Sequence, residues 1–168
     1  MPLANKKLEV SLEGLLGQGI GRYGSSGLPD VTLNPTTGAL LPLREARIMG
    51  GLVYHQSSRL DLYTYGGDEY AGRYGFISPA GTAAGYGSPL VSYTGCTNEV
   101  ALNTCSGANR NIYEATVGYW YRLYRGEFGR IEQGNQVVYM HRNLWSGIGK
   151  APQGSDVVAF TSLRFYLP

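Results

Sequence analysis

Hydrophobic residues recur at every second position through much of this chain, and six runs carry the pattern. In the first, 7–23, Leu8, Val10, Leu12 and Leu16 share one face, and Lys7, Glu9, Ser11 and Glu13 share the other. In the second, 45–56, Ala46, Ile48, Leu52 and Tyr54 oppose Glu45, Arg47 and His55. The third, 60 to about 76, sets Leu62 and Tyr70 against Asp61, Glu69 and Arg73, with tyrosines blurring both faces. The fourth, 111–125, is the clearest, because Tyr113, Ala115, Val117, Tyr119, Tyr121 and Leu123 alternate with Glu114, Thr116, Trp120 and Arg122. The fifth, 130–145, sets Ile131, Val137 and Tyr139 against Arg130, Glu132, Gln136 and Arg142, while Gln133 and Asn135 interrupt its apolar side. In the sixth, 156–167, Val157, Ala159, Leu163, Phe165 and Leu167 oppose Ser162, Arg164 and Tyr166. A period of two is the side-chain repeat of a strand, and each run reaches the ~9–11 residues with which a tilted strand crosses a bilayer.

The connections sort by length. Ser57-Ser58-Arg59 and Gly126-Glu127-Phe128-Gly129 are of hairpin size, whereas 24–44, 77–110 and 146–155 are long and rich in Gly, Pro, Ser, Thr and Asn. Antiparallel neighbours reverse direction each time, so all three long loops leave one end of the sheet and both tight turns and both termini lie at the other. The pattern predicts an all-β fold: a six-stranded antiparallel meander forming part or a subunit of an outer-membrane-type barrel, where short turns on one side and long loops on the other are the rule.

In that arrangement Leu8, Val10, Leu12, Ile48, Leu52, Val117, Tyr119, Leu163 and Phe165 would face lipid. Glu13, Arg47, Asp61, Glu69, Glu114, Arg122, Glu132, Arg142 and Arg164 would line a lumen of mixed charge. An Arg or Lys facing lipid at mid-bilayer costs roughly 2–4 kcal/mol, so the apolar face should be free of charge there. Arg22, Arg44 and Arg110 break the pattern only at loop-side strand ends. Asp68 breaks it further in, which predicts either a position near the interface or a bulge that resets the third strand. Tyrosines and Trp145 near strand ends suit a headgroup-level girdle, and equally suit ordinary cross-strand packing.

Composition supports strands over helices. The chain has 25 glycines and 14 tyrosines, and only 15% of its 168 residues are charged. Each glycine inside a helix would cost about 1 kcal/mol relative to alanine. A net charge of +2 without a Lys/Arg run excludes a nucleic-acid surface. No apolar run approaches the ~20 residues of a spanning helix. The segment 1–7 lacks the apolar stretch of a signal peptide, so a signal has been removed or the chain is part of a longer precursor. Cys96 and Cys105 are the two cysteines, read as a disulfide and hence an oxidising compartment, the alternative being two free loop thiols.

Site chemistry is sparse. Gly17-Gln18-Gly19-Ile20-Gly21 has the wrong spacing for a nucleotide loop and is followed by no helical pattern. His141-Arg142-Asn143 with Ser146 invites comparison with lipid-modifying barrel enzymes, but His141 falls on the apolar face and Ser146 in a loop. His55 beside Ser57 and Ser58 is weaker. Glu9 with Glu13, or Glu114 with Glu132, read more naturally as salt-bridge partners than as acid/base pairs. No catalytic, metal or cofactor residues are assigned, and an enzyme is not expected.

Tyr119-Trp120-Tyr121-Arg122, Gly129-Arg130, Trp145-Ser146-Gly147 and the ending 160–168 resemble the C-terminal barrel segments of large outer-membrane proteins from Gram-negative soil bacteria, from about Gly19 onward. That resemblance implies location and architecture but no substrate, since the family's functions are mostly unassigned. In such barrels the last strand ends on an aromatic residue, whereas here Leu167-Pro168 follow Phe165 and Tyr166. Six strands are also too few, since familiar barrels start at about 8. The expectation is therefore a pore-forming or structural barrel component in the bacterial outer membrane, with lipid as one partner. Further copies, or the rest of a larger barrel, would supply the remaining strands. The alternative is a soluble extracellular sheet protein, a sandwich or filament subunit, that self-associates.

Overall fold

The computed structural model describes residues 2–3, 7–93 and 107–168. Cys96 and Cys105 lie outside them, so the disulfide expectation does too. In chain order the strands are β1 (Pro2–Leu3), β2 (Leu8–Gln18), β3 (Val31–Leu33), β4 (Leu40–Pro42), β5 (Arg44–His55), β6 (Leu60–Ala71), β7 (Tyr74–Ile77), β8 (Ala83–Tyr86), β9 (Asn109–Gly126), β10 (Gly129–Leu144) and β11 (Gln153–Tyr166). The chain is all-β, and one 3₁₀ turn, Gly21–Tyr23, is the only helical element among the described residues.

The main sheet runs β1-β2-β5-β6-β9-β10-β11, every pair antiparallel. Its six long strands form the expected meander. Alternation and β-rich composition make them, and the turns close them. Between β5 and β6 the Ser57 Oγ accepts the N–H groups of Arg59 (3.2 Å) and Leu60 (3.1 Å). Between β9 and β10, Gly129 sits at φ +109, and a Cβ there would lie 2.1 Å from the Tyr166 carbonyl oxygen. Only glycine fits both the dihedral and the approach of β11.

Two strands are shorter than the alternation predicts. β2 stops at Gln18, because Gly19 turns left-handed (φ +66) and leads into the 3₁₀ turn. β6 stops at Ala71, and Tyr74–Ile77 pairs with β8 in a separate hairpin. Of the two accounts offered for Asp68, the bulge is absent: β6 keeps continuous register with both β5 and β9, so Asp68 stays on the apolar face opposite Ile48 and Tyr113. The register shifts fall between β9 and β10, at Ile131/Glu132 and at Asn143/Leu144.

The small core sits at the loop end. Leu28, Leu43, Ala71, Tyr93 and Leu144 are buried there, while Val138 is buried on the sheet. The long connections add the β3–β4 and β7–β8 hairpins. The Trp145 Nε1–H donates to the Ala71 carbonyl at 3.0 Å, and its ring packs edge-on against Tyr70. The Tyr86 hydroxyl donates to the Asn109 carbonyl at 2.7 Å, and burial pushes it up to about 12. None of this material covers the apolar face. Leu12 is 78% exposed, Val117 60% and Leu163 71%. β11 pairs with β10 alone, and β1 covers only Leu8 and Glu9 of β2, so the described sheet is open.

Candidate functional site

Cross-strand register places Glu13, Arg47, Asp61, Glu69, Glu114, Arg122, Glu132, Arg142 and Arg164 on one face of the sheet. It places Leu8, Val10, Leu12, Ile48, Leu52, Val117, Tyr119, Leu163 and Phe165 on the other. The charged face carries two ionic clusters with a recess between them.

The loop-end cluster holds down the first loop. Arg47 and Glu69 are directly opposed, with Nη1 and Oε2 3.4 Å apart, and both side chains are largely buried. Arg47 Nη2 donates to the Gly21 carbonyl at 2.6 Å, and the Ile20 N–H donates to Glu45 Oε2 at 2.5 Å. Glu69 accepts the Ser25 N–H (2.8 Å) and hydroxyl (3.1 Å), and the Ser26 N–H (3.4 Å) and hydroxyl. The loop lies so close that a Cβ on Gly24 would overlap the Arg47 guanidinium. Beyond it, Asp30 accepts the backbone N–H of Arg22 (2.7 Å) and its guanidinium (2.9 Å). Chiefly that backbone N–H holds the Asp30 carboxyl below its ordinary range.

At the turn end, Asp61 accepts from His55 Nδ1 (2.7 Å) and pairs with Arg122 Nη2. Arg122 Nε lies 3.2 Å from Glu132, which Arg130 Nε approaches at 3.1 Å. His55 Nε2 also lies 3.2 Å from Glu9. Each carboxylate is thus matched by a neighbouring cation. Charged groups at this depth persist only when so paired.

Between the clusters a recess of about 780 Å³ opens under residues 23–26, lined by Glu13, Arg47, Met49, Glu69, Glu114 and Met140 among others. Along this face aromatic rings sit close against glycines of adjoining strands: Tyr65 against Gly51, Tyr63 against Gly118 and Trp120 against Gly134. A Cβ on any of these glycines would approach a ring to 2.4–2.7 Å. The Arg164 guanidinium stacks on Trp120, 3.7 Å from the ring centroid. Sequence reasoning missed the apolar members of this face, Leu15, Met49, Ile112, Val138 and Met140, and the role of Ser25 and Ser26. Leu15 beside Leu16 was a usable sign that both faces carry apolar side chains. Nothing in the sequence marks the two serines.

The paired-carboxylate candidates do not assemble. Glu114 opposes Met140, and Glu132 opposes Arg122 and Arg164. His141 does not meet Ser146; it bonds Ser155 and Asn143 on the apolar face. Among the described residues no group of three or more His, Asp, Glu or Cys is placed to hold a metal. The architecture defines an antiparallel all-β sheet with one exposed apolar face and one ion-paired face. No family model matches the chain, and no curated protein or solved structure matches it either.

Proposed function

We propose that the chain is a component of an outer-membrane-type β-barrel, pore-forming or structural, with its apolar face against lipid and its ion-paired face toward the lumen. The observation that carries this reading is the uncovered apolar face. Measured along β9 from Tyr113 to Leu123 at ~3.3 Å per residue, the strand covers ~33 Å, or ~23 Å of height at a tilt of about 45°. Such barrels carry an apolar band ≈ 25 Å tall. Within it, the rows Val10-Leu52-Thr64-Val117-Val137-Ala159 and Leu12-Gly50-Gly66-Ala115-Tyr139-Val157 contain no charge. Six strands at ~4.8 Å spacing over ~33 Å of strand make this face on the order of 900 Å², more than soluble monomers ordinarily leave exposed.

The placement of the three long loops at one end supports the same reading, and the first loop, pinned across the ion-paired face, would narrow the lumen. The strands needed for closure come from further copies or from the rest of a larger barrel. The test is a polarity-sensitive fluorophore on Val117→Cys, in a Cys96→Ser/Cys105→Ser background, with the protein in vesicles. Quenching by spin-labelled acyl chains and protection from iodide are expected. A chain monodisperse in plain buffer, with the probe open to iodide, would refute the membrane reading in favour of a soluble self-associating sheet. Conductance across a planar bilayer distinguishes a pore from a plugged scaffold.

A further inference from the structure

The one formal charge inside the apolar face leads to a chain of hydrogen bonds that ends on a serine. Asp68 Oδ1 accepts Asn111 Nδ2–H at 2.9 Å, and Asn111 Oδ1 accepts Asn143 Nδ2–H at 3.2 Å. Asn143 Oδ1 lies 3.0 Å from His141 Nε2, and His141 Nδ1 lies 2.7 Å from Ser155 Oγ. Read in one direction, every donor finds an acceptor. Asn143 fixes the tautomer with the proton on Nε2, which leaves Nδ1 as a base for the Ser155 hydroxyl. The Tyr113 ring stacks on the imidazole, 4.9 Å between centroids, and the Tyr139 hydroxyl lies 3.1 Å from Ser155 Oγ.

We propose that Ser155, His141 and Asn143 form a serine-hydrolase site that cleaves ester bonds of membrane lipids from the outside of the barrel wall. A nucleophile, a base in hydrogen-bond reach and a third group orienting the base are the parts such chemistry needs. Ser155 is exposed on the apolar face of β11.

The substrate class follows from depth, and so rests on the barrel reading. The row Gly14-Ile48-Asp68-Tyr113-His141-Ser155 adjoins the uncharged rows on one side and the loop end on the other, at the level where an acyl ester meets its headgroup. Ser155 Oγ attacks the ester carbonyl carbon as His141 Nδ1 takes its proton. The tetrahedral adduct expels the alkoxide, which His141 protonates, giving a lysolipid and an acyl-Ser155. Water, deprotonated by His141, then attacks the acyl carbon, releasing a fatty acid and restoring the serine. Asn143 and Asp68 are positioning residues.

The experiment incubates the full chain, in detergent and in phosphatidylcholine vesicles, with a fluorophosphonate probe and separately measures fatty-acid release. Mass spectrometry should place the probe on Ser155. Ser155→Ala and His141→Ala should each lower release by about 10³-fold or more, with strand content by circular dichroism unchanged. Asn143→Ala should lower kcat roughly 10- to 100-fold with KM unchanged, and Asn143→Asp should recover most of it. A wild-type chain that is lipid-embedded yet neither labelled nor active overturns the site and leaves the barrel reading standing. Labelling of Ser155 and turnover of a water-soluble ester by a chain that needs no detergent does the reverse.

Discussion

Val117→Arg separates a lipid-facing sheet from a water-facing one by energy alone. Val117 lies near the centre of the apolar band, 60% exposed, in a row flanked by Thr64 and Val137. No described residue packs over it, so an arginine meets no steric obstacle, and in water the change belongs with surface substitutions worth about ±0.5 kcal/mol. Facing hydrocarbon at mid-depth, the same arginine costs roughly 2–4 kcal/mol, or about 30- to 1000-fold in the folding equilibrium. Tyr113→Arg, near the loop-side boundary of the same strand, should cost only ~0–1 kcal/mol if depth is the cause. Reversible urea unfolding from phosphatidylcholine vesicles measures both, with Val117→Leu as a control expected within about 0.5 kcal/mol of wild type. If Val117→Arg unfolds within about 0.5 kcal/mol of wild type, or Tyr113→Arg costs as much as Val117→Arg, the band does not face lipid.

Gly134→Ala should destabilise the sheet by about 1–3 kcal/mol, since its Cβ would enter the Trp120 ring at 2.7 Å and the Tyr119 carbonyl at 2.8 Å, whereas Gly154→Ala, with nothing within 4 Å, should be nearly neutral in the same unfolding assay. Glu69→Gln removes the charge that gathers Ser25, Ser26 and Arg47, and should loosen the first loop by about 1–3 kcal/mol, seen as faster amide exchange at Ser25 and Ser26, with the sheet destabilised as well because Arg47 loses its ionic partner. The Asp30–Arg22 contact sets an acid limit on the same loop. Because the folded carboxyl is held below its unfolded value near 3.8, its contribution is whole above that pH and is lost as pH falls through the folded value. Chemical-shift titration of the Arg22 amide should therefore move only below about pH 4, and a transition near neutrality would contradict the assignment.

The strands were legible because a period of two is written directly into the side chains, and the six long elements fall within a few residues of where alternation puts them. The ends of β2 and β6 were not, because what stops them is backbone: Gly19 in a left-handed conformation, and a departure after Ala71 that pairs Tyr74–Ile77 elsewhere. The face of each charged residue could be read from parity. The partner of each could not, since that depends on register between strands far apart in sequence, as when Glu69 reaches back 44 residues to Ser25. Ser146 was the serine nearest His141 in the pattern of motifs, but β11 returns beside β10 and delivers Ser155 instead.

The interruptions of the apolar face follow a rule that the alternation hides. Gln133 and Asn135 looked like errors on an otherwise oily strand, yet Thr161 Oγ1 donates to Asn135 (2.7 Å), Asn135 Nδ2 donates to the Tyr119 hydroxyl (2.7 Å), and that hydroxyl donates to Gln133 (3.3 Å). Every member is neutral and spends its hydrogen bonds on the others, the condition under which polar groups can face hydrocarbon. Asp68 breaks the rule. It carries a formal charge on that face, has a neutral amide as its hydrogen-bond partner, and stands at the head of the chain through Asn111, Asn143 and His141 to Ser155. A sheet that needed only to sit in a membrane would be served by the neutral arrangement. A carboxylate that sits on the apolar face and whose chain of hydrogen bonds ends on a hydroxyl is better explained by chemistry at that hydroxyl than by stability.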